Sequence, residues 1–357
     1  MRILQIIDSL NVGGAEKMAV NYANTLARIE EFSGIVVTRK EGALKSQIND
    51  NVGYLFLNRK RKIDISALKR LKKYCIENNI DHVQAHSLSY FTSLLLKLIY
   101  PKVQIIWHDH YGLSEFLSKR KLFYPKIASL YFKGIIAVNT QLERWANNKL
   151  NCKNVIYLPN YTSVDSSVEA TTVLFGNNGK KIVSVANLRY QKNHYLLLEV
   201  AEKLKKSHPD WSFHLIGNDL NDEYSKNIKK LIKTKSLENN VFIYGTRNDT
   251  TNIINQAEIT ILTSDSEGLP VALIEYGLLK KPTVTTNVGE IPLIIKNGEN
   301  GFVVPIKDDV KFYSSLLKLV ENSELRNDFG EKLYQTIYKN NSEEAVIKQY
   351  LNWVKSL

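Results

Sequence analysis

The 357-residue sequence lacks the features that mark several classes of protein. It has only two cysteines, Cys75 and Cys152, which lie far apart and form no Cys-x-x-Cys pair, so neither a disulfide framework nor a thiolate metal site is indicated. Asp8 interrupts the short apolar N-terminus, and no apolar run approaches the roughly 18 residues of a membrane span. Internal repeats and low-complexity tracts are also missing. These absences favour a reduced, cytoplasmic compartment.

Acidic residues are scarce in one half of the chain. The formal net charge is +12, but residues 1–165 hold 24 basic and 13 acidic residues, a net charge of +11. Residues 166–357 hold 24 basic and 23 acidic residues, a net charge of +1. Because net charge concerns binding partners rather than fold, the sequence predicts an anionic partner for the first half.

Short β-branched runs alternate with amphipathic segments along the whole length, which is typical of parallel, doubly wound α/β sheets. The chain is too long for one core, and residues 162–179 are rich in small polar residues, as a linker is. The sequence therefore predicts two Rossmann-like domains, at 1–165 and 166–335. Such sheets bind ligands at the carboxyl ends of their strands, so a shared cleft is expected.

Gly13 and Gly14 follow the first predicted strand and open the first predicted helix. Glycines let the backbone approach a ligand closely, and a helix N-terminus offers unpaired N–H groups to an anion. The segment does not match the dinucleotide fingerprint. A simple tight connection between strand and helix explains it equally well.

A second segment, Ser264–Glu275, carries two carboxylates near one predicted helix N-terminus. The predicted strand ends at Thr263, Glu267 lies in the loop, Pro270 suits the first helical turn, and Glu275 follows about a turn and a half later. The amides of that helix end could meet a phosphate or a sugar hydroxyl. Spacing alone does not exclude a simpler explanation, in which the two acidic residues only stabilise the start of the helix.

Glu267 and Glu275 form an E-x7-E pattern that resembles the signature of the retaining GT-B nucleotide-sugar glycosyltransferases of family four type. Further segments match that family in order along nearly the whole chain. They are Gly13–Glu16, Trp107–His110, Leu158–Asn160, Val185–Asn193, Leu215–Gly217, Thr285–Pro292 and Asn300–Pro305. The resemblance implies a GT-B fold, with two Rossmann-like domains facing a central cleft and the C-terminal helices, 336–357, packing back toward the first domain.

The resemblance also implies roles for individual residues. Glu275 would hold the nucleotide ribose and Glu267 would face the donor sugar. Arg189 and Lys192 would neutralise the leaving diphosphate, and His108 would lie beside the anomeric carbon, so these two cations and His108 join Glu267 as the catalytic candidates. The other nucleotide-sugar-binding candidates are Gly13, Gly14, Asn187, Gly217, Gly245, Gly268, Leu269 and Pro270, and the acceptor-side candidates are His86 and His110.

Fixed cations and amides can stabilise the charge that develops on the departing phosphate, so neither a metal ion nor a cofactor is expected. No Asp-x-Asp loop looks positioned to bind a divalent cation. The chain departs from the family pattern at Asn187, where an arginine usually precedes Leu188, while Arg189 follows it. Alternation returns Arg189 to the same face, although a solvated loop charge remains open. Glu290 and Leu293 replace a usual glycine and glutamate, so the identity of the donor is not carried over.

The leading interpretation is retaining transfer of a hexose from a nucleoside-diphosphate sugar to a glycan or lipid-linked acceptor in bacterial cell-surface polysaccharide synthesis. Basic clusters at 59–62 and 119–121, flanked by apolar and aromatic residues, predict peripheral binding at the cytoplasmic face of the inner membrane; a solvated lysine-rich surface is the alternative. A non-catalytic sugar-nucleotide binder, a GT-B phosphorylase or an epimerase also remain open. A nucleic-acid-binding protein is disfavoured because no RNP, KH or helix-turn-helix signal is present.

Overall fold

The computed structural model describes residues 1–112, 117–118, 120–162 and 168–357. The predicted domain boundary between 165 and 166, and Lys119 of the second basic cluster, lie outside these residues. The chain forms two compact units. Unit 1 comprises Met1–Tyr161 and Glu343–Leu357, and unit 2 comprises Thr162–Ser342.

Unit 1 contains a seven-stranded parallel sheet in the order β3-β2-β1-β4-β5-β6-β7. Its strands and helices are β1 (Arg2–Ser9), α1 (Gly14–Leu26), β2 (Phe32–Lys40), β3 (Gly53–Phe56), α2 (Ile65–Glu77), β4 (His82–His86), α3 (Tyr90–Ile99), β5 (Gln104–Asp109), α4 (Phe123–Ala128), β6 (Phe132–Ala137), α5 (Thr140–Lys149) and β7 (Val155–Tyr157). The strands are buried on both faces, as parallel sheets require.

Unit 2 contains a six-stranded parallel sheet in the order β10-β9-β8-β11-β12-β13. Its strands and helices are β8 (Lys181–Val185), α6 (His194–Ser207), β9 (Ser212–Ile216), α7 (Glu223–Thr234), β10 (Val241–Gly245), α8 (Thr250–Asn255), β11 (Ile259–Leu262), α9 (Val271–Leu278), β12 (Thr283–Thr286), α10 (Ile291–Ile294), β13 (Phe302–Val304), α11 (Asp309–Glu321) and α12 (Ser323–Asn341). The prediction of two doubly wound α/β domains is confirmed.

The last helix, α13 (Glu343–Ser356), belongs to unit 1. Its residues Val346 and Tyr350 are buried in one cluster with Ile3 of β1 and with Met18 and Tyr22 of α1. The sequence placed the start of this returning segment at 336, whereas the structure places it at Glu343. The reason is that α12 continues to Asn341 and buries its apolar face in unit 2.

Capping side chains explain where several helices begin. An Asp or Asn side chain accepts a hydrogen bond from a backbone N–H of the first turn, which would otherwise have no partner within the helix. The capping residues are Asp64 of α2, Asn139 of α5, Asn193 of α6, Asp222 of α7, Asp308 of α11 and Asn322 of α12.

Each sheet has one point where the strand order reverses. In unit 1 this point lies between β1 and β4, and in unit 2 it lies between β8 and β11. The connections that leave these strands diverge to opposite sides and open a crevice at the carboxyl ends, where open α/β sheets bind ligands. Within the described part of the chain, none of the helices has the length and apolar character needed to cross a bilayer.

Candidate active site

In unit 2, the loops after β8 and β11 are joined to each other at the point where the strand order reverses. Asp265 N donates to the carbonyl of Gln191 at 2.8 Å, and Asn193 Nδ2 donates to Asp265 Oδ1 at 2.8 Å. Thr263 Oγ1 donates to the carbonyl of Lys192 at 3.0 Å. These bonds fix the backbone beside the predicted catalytic residues Lys192 and Glu267.

Lys192 and Glu267 form a largely buried ion pair. Lys192 Nζ donates to Glu267 Oε1, which also accepts a hydrogen bond from Ser264 Oγ at 2.7 Å. The Glu267 side chain is 8% exposed and that of Lys192 is 18% exposed. The structure therefore brings a carboxylate and an ammonium group together at the crevice.

Arg189 lies in the same loop, but its side chain is exposed and makes no hydrogen bond or ion pair with another described residue. Asn187 instead has a structural contact, because its Oδ1 accepts from Asn218 N at 2.8 Å. The loop after β8 is thereby tied to the loop after β9. The exposed position of Arg189 is compatible with either role that the sequence left open, a solvated charge or a cation for the diphosphate.

Two glycines at this edge are required by close approach of the backbone. A Cβ at Gly217 would lie 2.2 Å from the carbonyl oxygen of Ala186, and a Cβ at Gly289 would lie 2.3 Å from those of Glu267 and Gly268. Gly289 also has a φ of +54°, which favours glycine. Gly217 N donates in turn to the carbonyl of Gly245 at 3.0 Å. Gly217 directly follows β9 and Gly245 ends the neighbouring β10, so both predicted nucleotide-binding glycines lie at the carboxyl edge of the sheet.

Helix α9 follows the Glu267 loop and carries Glu275. Pro270 is its N-cap residue rather than part of the first turn, and Leu269 is buried beneath it. Glu275 is half-buried and lies in the second turn. The adjacent Tyr276 hydroxyl accepts a hydrogen bond from Val185 N at 2.7 Å, which ties α9 to the end of β8.

Glu290, one of the departures from the family pattern, is buried beside the Glu267 loop. Its backbone N donates to the carbonyl of Gly268 at 2.9 Å, and its side chain is 4% exposed. Leu293, the other departure, is 64% exposed. The loop edge that differs from the family pattern thus carries an additional buried carboxyl group.

In unit 1, three histidines meet at the ends of β4 and β5. His86 and His108 are register partners on the two strands, and His110 follows β5. Their ring centroids are 5.0 Å apart for His86 and His108, 5.2 Å for His86 and His110, and 4.0 Å for His108 and His110. The predicted donor-sugar histidine and both acceptor-side histidines therefore form one cluster.

Hydrogen bonds fix the tautomers in this histidine cluster. His86 Nε2 donates to Gln5 Oε1 at 2.8 Å, so its Nδ1 accepts from His110 Nε2 at 3.0 Å. Gln84 Nε2 donates to His108 Nδ1 at 2.9 Å, which places the His108 proton on Nε2. That buried N–H has no partner among the described residues. His108 Nε2 is thus a buried donor whose hydrogen bond is unmade.

Burial keeps all three rings neutral. Loss of hydration lowers the pKa of His86 and of His108 well below 6.5, with a further lowering from neighbouring histidines, and it lowers the pKa of His110 to about 3. Neutral imidazoles of this kind donate and accept hydrogen bonds at pH 7 but carry no charge. The cluster can orient hydroxyl groups and is unsuited to neutralising a diphosphate.

The same three histidines are the described residues that could hold a metal ion, since one nitrogen from each lies within 4.8 Å of the others. Metal ligation requires an unprotonated nitrogen with a free lone pair. In the hydrogen-bonded arrangement His86 Nδ1 is already an acceptor and His108 Nε2 is protonated. These hydrogen bonds describe a polar contact site better than a preformed metal site.

Gly13 and Gly14 lie where the sequence placed them, at the start of α1. Gly13 is the N-cap residue in extended conformation and has no side chain to cap the helix. Glu16 lies in the first turn, and its Oε1 accepts a hydrogen bond from Ser9 Oγ at 3.4 Å. The N-terminus of α1 therefore already has a carboxylate of the chain, that of Glu16, in the turn that carries its unpaired backbone N–H groups.

The structure corrects part of the predicted basic surface. Arg59 is buried, and its Nη2 lies 3.4 Å from Asp8 Oδ1 at the end of β1. Arg120 is also turned inward, because Nη1 and Nη2 bind the two carboxylate oxygens of Asp109 at 2.6 and 2.8 Å. Both arginines are held by internal carboxylates, so they are not free to bind an external anion.

Several residues that build the site were missed by sequence reasoning. Gln5 and Gln84 orient the histidines, Ser264 orients Glu267, and Asp109 fixes the end of β5. A signal was present for the two glutamines, because each is a polar residue within an apolar strand. Nothing in the sequence pairs Ser264 with Glu267 rather than with solvent.

Comparison with known proteins gives the same family as the motifs. Residues 12–165 match the domain described as Glycosyltransferase Family 4, and residues 169–336 match the domain described as Glycosyl transferases group 1. The chain is 23% identical to the amylovoran biosynthesis glycosyltransferase AmsD of Erwinia amylovora, with 94% of each chain covered. It is also 23% identical to the Escherichia coli UDP-Gal:alpha-D-GlcNAc-diphosphoundecaprenol alpha-1,3-galactosyltransferase, with 83% of this chain and 82% of that one covered.

Among solved structures, Alr3699/HepE of Anabaena in complex with UDP and glucose aligns over 100% of both chains with a TM-score of 0.84 and 16% identity. That likeness shows a shared fold. The two domain matches together span nearly the whole chain. The first covers the sheet of unit 1 and the second covers the sheet of unit 2. The chain therefore belongs to the GT-B glycosyltransferases of family four type.

Proposed function

We propose that this protein is a retaining, metal-independent glycosyltransferase that moves a hexose from a nucleoside-diphosphate sugar to a glycan or lipid-linked saccharide. The observation that carries the proposal is the Lys192–Glu267 pair at the crevice of unit 2, directly before the helix that bears Glu275. Crevices at this position of an α/β sheet are where nucleotides bind.

The groups in unit 2 match the three parts of such a donor. The Glu275 carboxylate can accept hydrogen bonds from both ribose hydroxyls. Lys192 supplies a positive charge to the diphosphate, and exposed Arg189 supplies a second one from the same loop. Glu267, held by Ser264, faces the sugar, because its carboxylate can accept hydrogen bonds from sugar hydroxyls.

The transfer breaks the bond between the anomeric carbon and the phosphate oxygen and leaves the negative charge on that oxygen. Fixed positive charge at Lys192 lowers the energy of this charge separation. Retention follows if the acceptor hydroxyl attacks from the face that the phosphate leaves, and the departing phosphate takes the hydroxyl proton. The neutral His108 Nε2–H of unit 1 is a donor that needs no charge to bind a sugar hydroxyl.

The proposed acceptor and location rest on the relatives and on composition. One relative is named for a diphosphoundecaprenol-linked substrate and another for amylovoran biosynthesis. We assign this chain to bacterial cell-surface polysaccharide synthesis, acting at the cytoplasmic face of the inner membrane. The net charge of +11 in residues 1–165 and the two unpaired, buried cysteines are consistent with that location.

The decisive experiment screens nucleotide sugars by thermal shift and by slow donor hydrolysis, with Glu275→Ala as the test variant. We expect one nucleoside diphosphate to stabilise the wild type, and Glu275→Ala to lose about 10–100-fold in affinity because two ribose hydrogen bonds to a charged group disappear. Glu321→Ala, which changes an exposed glutamate of α11, is the matched control.

Two further readouts test the finer points. The anomeric configuration of the transferred sugar, read by NMR before it equilibrates, should equal that of the donor, and turnover should survive exhaustive treatment with a chelator. Stabilisation by no nucleotide or nucleotide sugar would contradict the proposed function. An inverted product would contradict retention alone, and loss of turnover that added divalent cations restore would contradict metal independence alone.

A further inference from the structure

Two buried glutamines lie side by side in the sheet of unit 1, next to the histidine cluster. Gln5 of β1 and Gln84 of β4 are register partners, and both are fully buried. Side chains alternate along a strand, and register partners of a parallel pair point to the same side, so both glutamines share one face of the sheet with His86 and His108. Buried amides in an apolar sheet are costly unless their hydrogen bonds are made.

Each glutamine binds one histidine through one atom of its amide. Gln5 uses its oxygen, which accepts from His86 Nε2, whereas Gln84 uses its nitrogen, which donates to His108 Nδ1. The other two amide atoms, Gln5 Nε2 and Gln84 Oε1, have no partner in the part of the chain that the structure describes. They are a donor and an acceptor, so a single ordered water, which accepts one hydrogen bond and donates another, can satisfy both.

The hydrogen bonds run in the same direction at both glutamines. His110 Nε2 donates to His86 Nδ1, and His86 Nε2 donates to Gln5 Oε1. Further on, Gln84 Nε2 donates to His108 Nδ1. A chain that continues in this direction needs a remaining donor on Gln5 and a remaining acceptor on Gln84, and these are the two atoms that are left.

We propose that these five side chains form one hydrogen-bond chain, which runs in a single direction from His110 through His86, Gln5, one bound water and Gln84 to His108. Gln5 and Gln84 are then positioning residues, which together keep the proton of His108 on Nε2. Hydrogen bonds that run in one direction polarise each other, so each bond in the chain strengthens the next.

The surroundings of His108 leave this choice to the hydrogen bonds. Among the described residues, the titratable groups that face its ring are His86 of β4, His110 after β5 and Tyr22 of α1. Burial lowers the pKa of the histidines and raises the pKa of Tyr22, so all of these groups are uncharged. Asp109, the next residue along β5, is bound to Arg120. A neutral imidazole has two tautomers, and the bond from Gln84 selects one of them.

The chain makes His108 a donor and excludes a role as a base. Its Nε2 carries a proton and its Nδ1 accepts from Gln84, so neither nitrogen can take a proton from an acceptor hydroxyl. This consequence rests on the proposed function and deepens it, because the departing phosphate is then left as the group that takes that proton. The position of the proton on His108 does not depend on the proposed function.

The test reads the protons by ¹⁵N NMR of the histidine side chains in the full-length protein, with His108→Gln to assign the signal. In the wild type, His108 should have a protonated Nε2 and an unprotonated Nδ1. Gln84→Glu should place a proton on Nδ1, because a carboxylate only accepts hydrogen bonds. The matched control, Gln5→Glu, places the same carboxylate at the paired position and keeps the acceptor for His86, so His108 should keep the wild-type pattern.

A second variant tests the continuity of the chain without burying a charge. Gln5→Met does not touch His108, but it removes the link to Gln84, whose amide can then take either orientation. We expect at least about a tenth of His108 to carry its proton on Nδ1 in this variant, because the polarising chain is broken. A single Nε2–H form in Gln5→Met would overturn the chain, and so would a wild type with the His108 proton on Nδ1.

Activity separates the donor role from a merely structural one. Transfer by Gln84→Glu should be about tenfold slower than by wild type at pH 8.5, because one hydrogen-bond donor is lost. The difference should shrink toward pH 6, since the new carboxylate raises the pKa of His108 and a second proton returns an N–H to Nε2. An equal loss at both pH values, or an unprotonated Nδ1 in Gln84→Glu, would overturn the inference. A wild type that shows the expected protons but transfers no sugar would instead contradict the proposed function.

Discussion

At the residue scale, Lys192 carries the charge on which the proposed chemistry depends. Its ammonium group is bound to Glu267, so a bound diphosphate must share or displace that carboxylate. We expect Lys192→Met to lower kcat for transfer by about 10²–10³, the usual effect of removing one group that stabilises transition-state charge. The measurement is initial-rate kinetics with the donor identified by the screen.

The variant also leaves Glu267 buried without its cation, which would lower stability and obscure the result. Lys192→Met combined with Glu267→Gln removes both charges, and it should recover the melting temperature without recovering turnover. Lys203→Met, which removes a partly exposed lysine paired with Asp309 in the same unit, is the matched control. Wild-type kcat in Lys192→Met would rule out the assigned role.

At the element scale, the end of β5 is held by a side chain from the segment that precedes α4. Both guanidinium nitrogens of Arg120 bind Asp109, the residue between His108 and His110, and the guanidinium lies over the rings of Tyr111 and Trp145 at 4.4 and 4.3 Å. We therefore assign Arg120 as a positioning residue that acts on the histidine cluster through Asp109.

We expect Arg120→Lys to lower kcat about tenfold or more, because lysine cannot make the bidentate bond or the flat ring contacts that fix the strand end. The Kd for the nucleotide, which unit 2 binds in the proposed function, should stay at the wild-type value. Titration of nucleotide binding alongside kcat separates these effects. A fall in kcat together with an equal loss of nucleotide affinity would indicate general unfolding rather than misplacement of His108 and His110.

The sequence predicted the elements better than the contacts between them. Alternation of β-branched and amphipathic segments was sufficient for both sheets, and the strand and helix signals around Glu267 were sufficient to place it in the loop between β11 and α9. From the sequence, Arg120 was assigned to an outward basic cluster. A run of basic residues does not show which of them faces a buried carboxylate. The pairing with Asp109 depends on how the chain returns to β5, and only the folded structure shows this.

The same limit explains the error at the C-terminus. The sequence began the returning segment at 336, but Leu333 and Ile337 of α12 are buried in unit 2, where Gly277 of α9 lets them approach closely. Helical periodicity showed that α12 has an apolar face. It could not show which of two sheets covers that face.

At the scale of the whole molecule, neutral buried histidines occur in both units. Burial lowers the pKa of His86, His108 and His110 in unit 1, and it lowers the pKa of His194 to about 4 and of His214 to about 3 in unit 2. In the unfolded chain these rings titrate near 6.5. Below that pH the unfolded state binds more protons than the folded state, so the free energy of unfolding must fall as the pH falls.

We therefore expect full stability above about pH 6.5 and a loss of roughly 1.4 kcal/mol per pH unit for each such histidine between pH 6.5 and its folded pKa. Between pH 7.5 and pH 5 carboxylates contribute little, because Asp and Glu side chains of the unfolded chain titrate near pH 4. Asp249, whose pKa is lowered to about 2 in the folded protein, changes the stability only under more acidic conditions. Urea unfolding at pH 7.5 and pH 5, followed by tryptophan fluorescence, measures the slope. His110→Gln removes one titrating ring. The change in the free energy of unfolding per pH unit should therefore be smaller than in wild type by about 1.4 kcal/mol, the contribution of one proton. An unchanged slope would mean that His110 is protonated in the folded protein, and the hydrogen bond from its Nε2 to His86 would then join a charged ring to a neutral one.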